Sequence, residues 1–290
     1  MRVLLVRLVK SRWAFLLLLC LMVAVPATVV AQSMSGAPAS LLPPDVRQSG
    51  VLRIAGDASF PPFFYLDEHN DFKGLDVDIT TAVAKILGLK PQFTNIPTDG
   101  VIAGLQAHRF DVGVSGLIDR PVREKVLDFV DYYHAFQSLL VKAGNPDQVN
   151  AKTVCGKQVA VGKGTAAAIA TLPHLSELCE KDGKPAIKAA VFPAYSAGVL
   201  AIQDGRVNAG LTLFPINRWI EQRSNGKLED GGAVPGSFMV GLAVNKGNDQ
   251  LVKALFASVD QTMKDGSYKQ LLAKYGILEQ PLEKPAINQP

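Results

Sequence analysis

The chain has 290 residues, of which 48% are hydrophobic and 19% charged, a globular balance sufficient for one large or two modest domains. Its formal net charge is +4, but Arg2, Arg7, Lys10 and Arg12 all precede Gln32, and without them basic and acidic residues stand at 26 each. A near-neutral body has no basic field to hold a polyanion, so nucleic acid is excluded as a natural partner.

Those four bases form the start of a secretion signal. An uninterrupted apolar run, Trp13 to Val25, follows and is short for a bilayer span. Val29, Val30 and Ala31 place a cut after Ala31, so residues 1–31 read as a signal peptide, with a membrane anchor as the alternative. Cys20 raises the question of a lipoprotein, but Leu19 stands where a small residue is expected before a lipidated cysteine. The expectation is a soluble, exported protein, periplasmic in location. Residues 32–50 are small, polar and proline-bearing, and read as a flexible leader.

Val51–Ala55 is a predicted strand. The loop Asp57–Phe63 follows, with two prolines that exclude regular structure. Leu75–Leu87 is an amphipathic helix with Ile79, Val83, Ile86 and Leu87 on one face and Gly88 as its C-terminal cap. Gln92–Ile96 is a strand, Ile102–His108 a short helix and Phe110–Val114 a third strand. The pattern then restarts. Gln137–Val141, Gln158–Val161, Ala189–Phe192, Ala209–Leu213 and Phe238–Val244 are strands, Gly164 opens an alanine-rich helix, and Gly198–Gln203 is helical. Asn248 caps a long amphipathic helix over Asp249–Lys264. The last stretch, from Glu279, carries three prolines and is expected to fray. Strands alternating with helices imply an α/β fold with a parallel-rich sheet.

Two stretches carry chemistry. In Ser115–Tyr133, Ser115 and Gly116 are small enough for a backbone to approach a ligand. Arg123, eight residues after Ser115, can grip a carboxylate with two parallel hydrogen bonds; the alternative is a solvated residue at a helix start. The turn Gly162-Lys163-Gly164-Thr165 sits where a strand meets a helix, so its backbone N–H groups can face an anion; the alternative is a plain strand–helix turn. Cys155 and Cys179 are an even pair in an oxidising compartment and are expected to form a disulfide. His69, His108, His134 and His174 are scattered without ligand spacing, so no metal is expected, and no cofactor.

Taken in order, DASFPPF at Asp57–Phe63, GLDVDI at Gly74–Ile79, SGLIDRPVREKVLDF at Ser115–Phe129, VAVGKGT at Val159–Thr165 and DGSYKQLLAKYG at Asp265–Gly276 make the chain resemble the periplasmic solute-binding proteins of ABC importers, polar amino-acid type. The resemblance covers Val51 to about Gly276. It implies a two-lobed type II binding-protein fold with two strand crossings and the ligand in the cleft. Lobe one would be residues 51–135 plus 240–276, lobe two residues 136–239, and residues 277–290 a tail. It implies that Arg123 binds the ligand carboxylate, that Gly164 and Thr165 form the lobe-two anion site, and that Gly116 and Leu117 offer backbone groups. Asp57 and Phe60 would meet the ligand's side chain, with core packing as the rival role for Phe60. The partners implied are a small carboxylate-bearing solute and an inner-membrane permease, and the protein is expected to be a monomer.

Two positions depart from the family pattern. Ile118 stands where many relatives carry a hydroxyl. Leu213 stands where amino-acid binders place an aspartate for the α-ammonium, and a buried ammonium without a partner costs several kcal/mol. Either another acid such as Asp57 supplies the partner, or the ligand is not an ordinary α-amino acid. Arg120, in place of a common threonine, offers a second anion contact but is read as mainly solvated. The function expected is binding and delivery rather than catalysis. The alternatives are an enzyme related to cyclohexadienyl dehydratase, whose acid has no counterpart at Leu213, Phe214, Pro215 or Ile216 in LFPINRWIEQR, Glu221 being the only acid nearby and read as lying on an exposed helix face, and a ligand sensor for a signalling receptor.

Overall fold

The computed structural model describes residues 37–277 and 281–289. The predicted signal peptide and its cut after Ala31 lie outside the described residues.

A single nine-stranded sheet runs through both halves of the molecule. Its centre is two long antiparallel strands, Leu127–Lys142 and Leu228–Asn245. On one side Leu228–Asn245 leads to Val112–Gly113, Val51–Gly56 and Lys90–Asn95; on the other, Leu127–Lys142 leads to Ala209–Leu213, Gln158–Gly162 and Lys188–Phe192. The flanking pairs are parallel in each half, Val51–Gly56 with Lys90–Asn95 and Gln158–Gly162 with Lys188–Phe192. These are the two α/β halves and two crossings expected. The predicted strand at Gln137–Val141 is the second half of one 16-residue strand. The restart of the pattern is therefore a crossing, not a break.

The helices form where the apolar spacing demands. Leu75–Leu87 buries Ile79, Val83, Ala84 and Leu87, and Gly88 ends it at φ 71°, where a glycine is at ease. Asn248 accepts from the Leu251 N–H and caps Asp249–Lys264. The expected alanine-rich helix begins as a π-helical turn, Ala167–Thr171, before the α-helix Leu172–Lys181. Cys155 and Cys179 are joined by a disulfide, with Cα atoms 5.6 Å apart.

Two stretches read as unstructured are ordered. Within the expected leader, Ala37–Ser40 and Pro44–Ser49 are helical. Leu42 and Val46 are buried in the larger core, and Arg47 donates to the carbonyls of Ser40 and Leu42. Two apolar residues among small polar ones were enough to pin that segment. At the other end Pro281–Ile287 is a strand on Leu127–Lys142, not a frayed tail. Its pairing is interrupted between Pro281 and Ala286, so its second proline, Pro285, falls in the irregular stretch and forfeits no regular ladder bond.

Candidate ligand-binding cleft

The first wall of the cleft is built around a buried carboxylate. Asp76, in the first turn of Leu75–Leu87, accepts at Oδ2 from the backbone N–H groups of Ser115, at 2.6 Å, and Gly116, at 2.8 Å. Its Oδ1 accepts from the Tyr132 hydroxyl. Burial pushes the Asp76 carboxyl up to about 6, and the three donors hold it from rising further. These bonds fix Ser115 and Gly116 at φ 99° and 60°, conformations unusual for a residue with a side chain. The Ser115 hydroxyl donates to the Asp57 carbonyl at 2.6 Å. The N–H groups of Ser115 and Gly116 are therefore spent on Asp76, and the Leu117 carbonyl accepts from Gly241 N–H. The backbone groups expected to meet a ligand here instead hold the wall in shape.

Arg123 sits in the short helix Pro121–Glu124 and is 4% exposed. Its Nη1 donates to the Ile118 carbonyl and its Nη2 to the Gly164 carbonyl, both at 2.8 Å, while Nε is buried without a partner among the described residues. Burial, then the neighbouring Arg120 charge, lowers it to about 10, so it stays charged at neutral pH. Arg120 is not simply solvated. It is half-buried, stacks 3.9 Å over the Phe238 ring and donates to the Thr171 hydroxyl at 2.6 Å.

Three of these links tie the halves together: Arg123 to Gly164, Arg120 to Thr171, and the Lys163–Asp99 ion pair at 2.8 Å. Gly164, at φ 74°, lies so close to the Asp99 backbone that an added Cβ would fall 2.9 Å from its nitrogen. Across the same gap a Cβ on Gly116 would meet Leu213 at 3.3 Å. Gly164 thus lets two backbones approach, and Gly116 lets a backbone approach the Leu213 side chain.

Two cavities flank the closed gap. The inner one is about 30 Å³, room for a water or two rather than an amino acid, so the halves must part to admit a solute. It brings together Phe60, Ser115, Gly116, Leu117, Arg123, Thr165 and Leu213. Gly164 closes over the gap through its carbonyl. Asp57 is elsewhere: it lines an outer cavity of about 700 Å³ with Tyr65, Ile96, Leu200 and Trp219. Its carboxylate accepts from the Ser59 N–H, the Ser59 hydroxyl and the Thr98 hydroxyl, and burial raises its pKa. Phe60 is 4% exposed and stacks on Tyr195 with ring centroids 6.0 Å apart, so it belongs to both core and cavity.

Asp76, Tyr132 and Gln137 were not singled out from the sequence. Asp76 lies in a motif that was, and an acid in a helix's first turn is ordinarily exposed, so nothing local marks it. Gln137 lies in an apolar strand run, and a polar residue at that period was the available signal.

The sequence of residues 52–277 matches the family model described as bacterial extracellular solute-binding proteins, family 3. The chain belongs to that family. Among relatives, the family 3 chain is 27% identical to the arginine-binding protein ArgT of Corynebacterium glutamicum, over 86% of this chain and 82% of that one. It is 26% identical to the L-cystine-binding protein TcyJ of Escherichia coli, over 79% and 84%. Among solved structures, an ancestral arginine-binding protein bound to arginine superposes with a TM-score of 0.70 at 30% identity, covering 78% of this chain and 98% of that one. The type II two-lobed architecture follows, and these relatives are binding proteins.

Proposed function

We propose that this family 3 protein is a periplasmic receptor that closes around one small carboxylate-bearing solute, an amino acid or a molecule of that size, and hands it to an ABC permease. Arg123 carries the reading. It is a buried, charged guanidinium at the seam between the lobes that lines the inner cavity, and its Nε has no partner among the described residues. Its Nη groups rest on two carbonyls of the protein, and a carboxylate is a stronger acceptor that can displace the Gly164 link when the lobes open. The arginine and cystine bound by named relatives are both α-amino acids, which supports the size class. Thr165 and Gly164 supply the lobe-two edge, Ser115, Gly116 and Leu117 the lobe-one wall, Phe60 a flat face, Leu213 an apolar floor, and Asp57 the outer mouth.

We read lobe one as residues 51–135 plus 240–276 and lobe two as 136–239; the register slips of the two long strands between Ala233 and Ser237 and between Val240 and Gly241 support a boundary in that stretch. The reading includes removal of residues 1–31 on export and action as a monomer, since both cleft walls come from one chain. Binding rather than catalysis is favoured because the lining of the inner cavity includes no carboxylate, and Glu221 is paired with Arg218 at 2.7 Å. A thermal-shift screen of mature protein over amino acids and small organic acids tests this. A ligand at a hundredfold its dissociation constant adds about 2.7 kcal/mol. A flat screen across all carboxylates would contradict the reading.

A further inference from the structure

Leu213 leaves the cleft without the acid that an α-ammonium would need, and Asp57 does not replace it. The Asp57 carboxylate already accepts from three donors and lines the outer cavity, not the inner one. The strand register shows what stands in that place. Gln137 is paired directly with Leu213 across the antiparallel strands, so their side chains emerge side by side on one face. Both line the inner cavity. Gln137 is 1% exposed, and its Oε1 is buried without a hydrogen-bond partner among the described residues.

The other polar side chains at that cavity are mostly committed. The Thr98 hydroxyl donates to Asp57, the Ser115 hydroxyl to the Asp57 carbonyl, and the Thr165 hydroxyl to the Gly162 carbonyl. A solute therefore meets one cation, Arg123, one open carboxamide oxygen, Gln137, the neutral Thr212 hydroxyl, and an apolar floor of Ile118, Leu213 and Ile216. A zwitterion would bury its ammonium against a neutral dipole, leaving that charge uncompensated. A carboxylate whose neighbouring donor is a neutral O–H or N–H leaves nothing unpaired, since one hydrogen bond to Oε1 satisfies both sides.

We propose that Gln137 is the specificity-determining residue of this cleft, and that it selects carboxylates with a neutral α-donor, such as 2-hydroxy acids or N-acylated amino acids, at least as well as free α-amino acids. This rests on the carboxylate-receptor reading above. It differs from an acid-lined site in one consequence: the α-ammonium confers no advantage.

The experiment is calorimetric titration of the mature protein with matched probes: L-leucine, L-phenylalanine and L-arginine, their 2-hydroxy counterparts and their N-acetyl derivatives. For at least one side chain, the 2-hydroxy or N-acetyl probe should bind as tightly as the amino acid or tighter. Gln137→Leu should weaken that probe tenfold or more, while the melting temperature of the unliganded protein stays level or rises, because an unpaired buried carboxamide has been replaced by an apolar side chain. Gln137→Glu should move the preference at least tenfold toward the free amino acid. Free amino acids binding more than tenfold tighter than both counterparts, with Gln137→Leu neutral, would overturn the assignment and leave the receptor reading standing. A fall in melting temperature for Gln137→Leu would overturn it too, since the carboxamide would then be structural. Silence from every probe would overturn the receptor reading together with the inference.

Discussion

The two walls of the cleft are made differently. On the lobe-one side a buried carboxylate, Asp76, gathers two backbone N–H groups and a tyrosine hydroxyl, and Arg123 stands beside the turn they hold. Beyond Gln137 on the crossing strand, the lobe-two side is mostly small and apolar: Ala166, Ala167, Leu213 and Ile216, with the Thr212 hydroxyl and with Thr165 bonded back to its own turn. The first wall can discriminate, because its charge and shape are fixed before a ligand arrives. The second can mainly fit and cover. On the proposed reading, specificity is concentrated on lobe one and on the crossing strand that carries Gln137, and closure on the glycine turn of lobe two.

The sharpest way to break that contrast is at Asp76. Asp76→Ala strips the acceptor from three buried donors and should lower stability by about 3–5 kcal/mol, read by chemical denaturation. A loss below about 1 kcal/mol would mean that the wall is not built on this carboxylate. Next is the disulfide, which lies wholly in lobe two. Replacing Cys155 and Cys179 together by serine should cost about 3 kcal/mol, and because neither cysteine lines the inner cavity, ligand affinity at a temperature where the protein is folded should change less than twofold. A large affinity loss would show that lobe two does more than cover.

A smaller effect is expected at Gly164. Gly164→Ala puts a side chain at φ 74°, about 1 kcal/mol of local strain in open and closed forms alike, and against the Asp99 backbone, a clash present only in the closed form. Affinity should fall several-fold by calorimetry, beyond a loss of about 1 kcal/mol in the stability of the unliganded protein. Unchanged affinity would mean that closure does not bring these backbones together.

The smallest effect concerns pH. Asp119 and Asp131 are both fully buried, near one another and Glu124, with Arg120 and Arg123 close by. Burial first, then the Asp131 and Glu124 charges, pushes Asp119 up to about 8; burial pushes Asp131 up to about 7. Carboxyls whose folded pKa is raised hold protons that the unfolded chain has released, so their contribution to stability is lost as pH rises from about 4 toward 8. Asp119→Asn should therefore raise the melting temperature by about 2–4 °C at pH 8 and do little at pH 4. An equal shift at both pH values would remove the titration from the account.

Much of this was legible in the sequence because it is local. Arg123, the Gly162–Thr165 turn, the cap at Asn248 and the pair Cys155–Cys179 each announce themselves through residue type and spacing. What was hidden depends on distant partners. Asp76 reads as a surface acid until Ser115 and Tyr132, about 40 and 56 positions away, come to it. Arg120 reads as solvated until Phe238 passes beneath it. The Pro281–Ile287 strand reads as a frayed end because prolines argue against pairing, and only the register against Leu127–Lys142 shows how they are tolerated. Gln137 has meaning only once Leu213 is found opposite it.

The central claim is that Arg123 holds a carboxylate in the cleft. The most direct measurement is calorimetric titration of wild-type, Arg123→Lys and Arg123→Ala mature protein with the best ligand of the thermal-shift screen and with its methyl ester. The account predicts a loss of about 2–5 kcal/mol for Arg123→Ala, a clear loss for Arg123→Lys because the planar fork is gone, and little binding of the ester to any of the three. Equal affinity of acid and ester, or wild-type affinity in a folded Arg123→Ala protein, would contradict it.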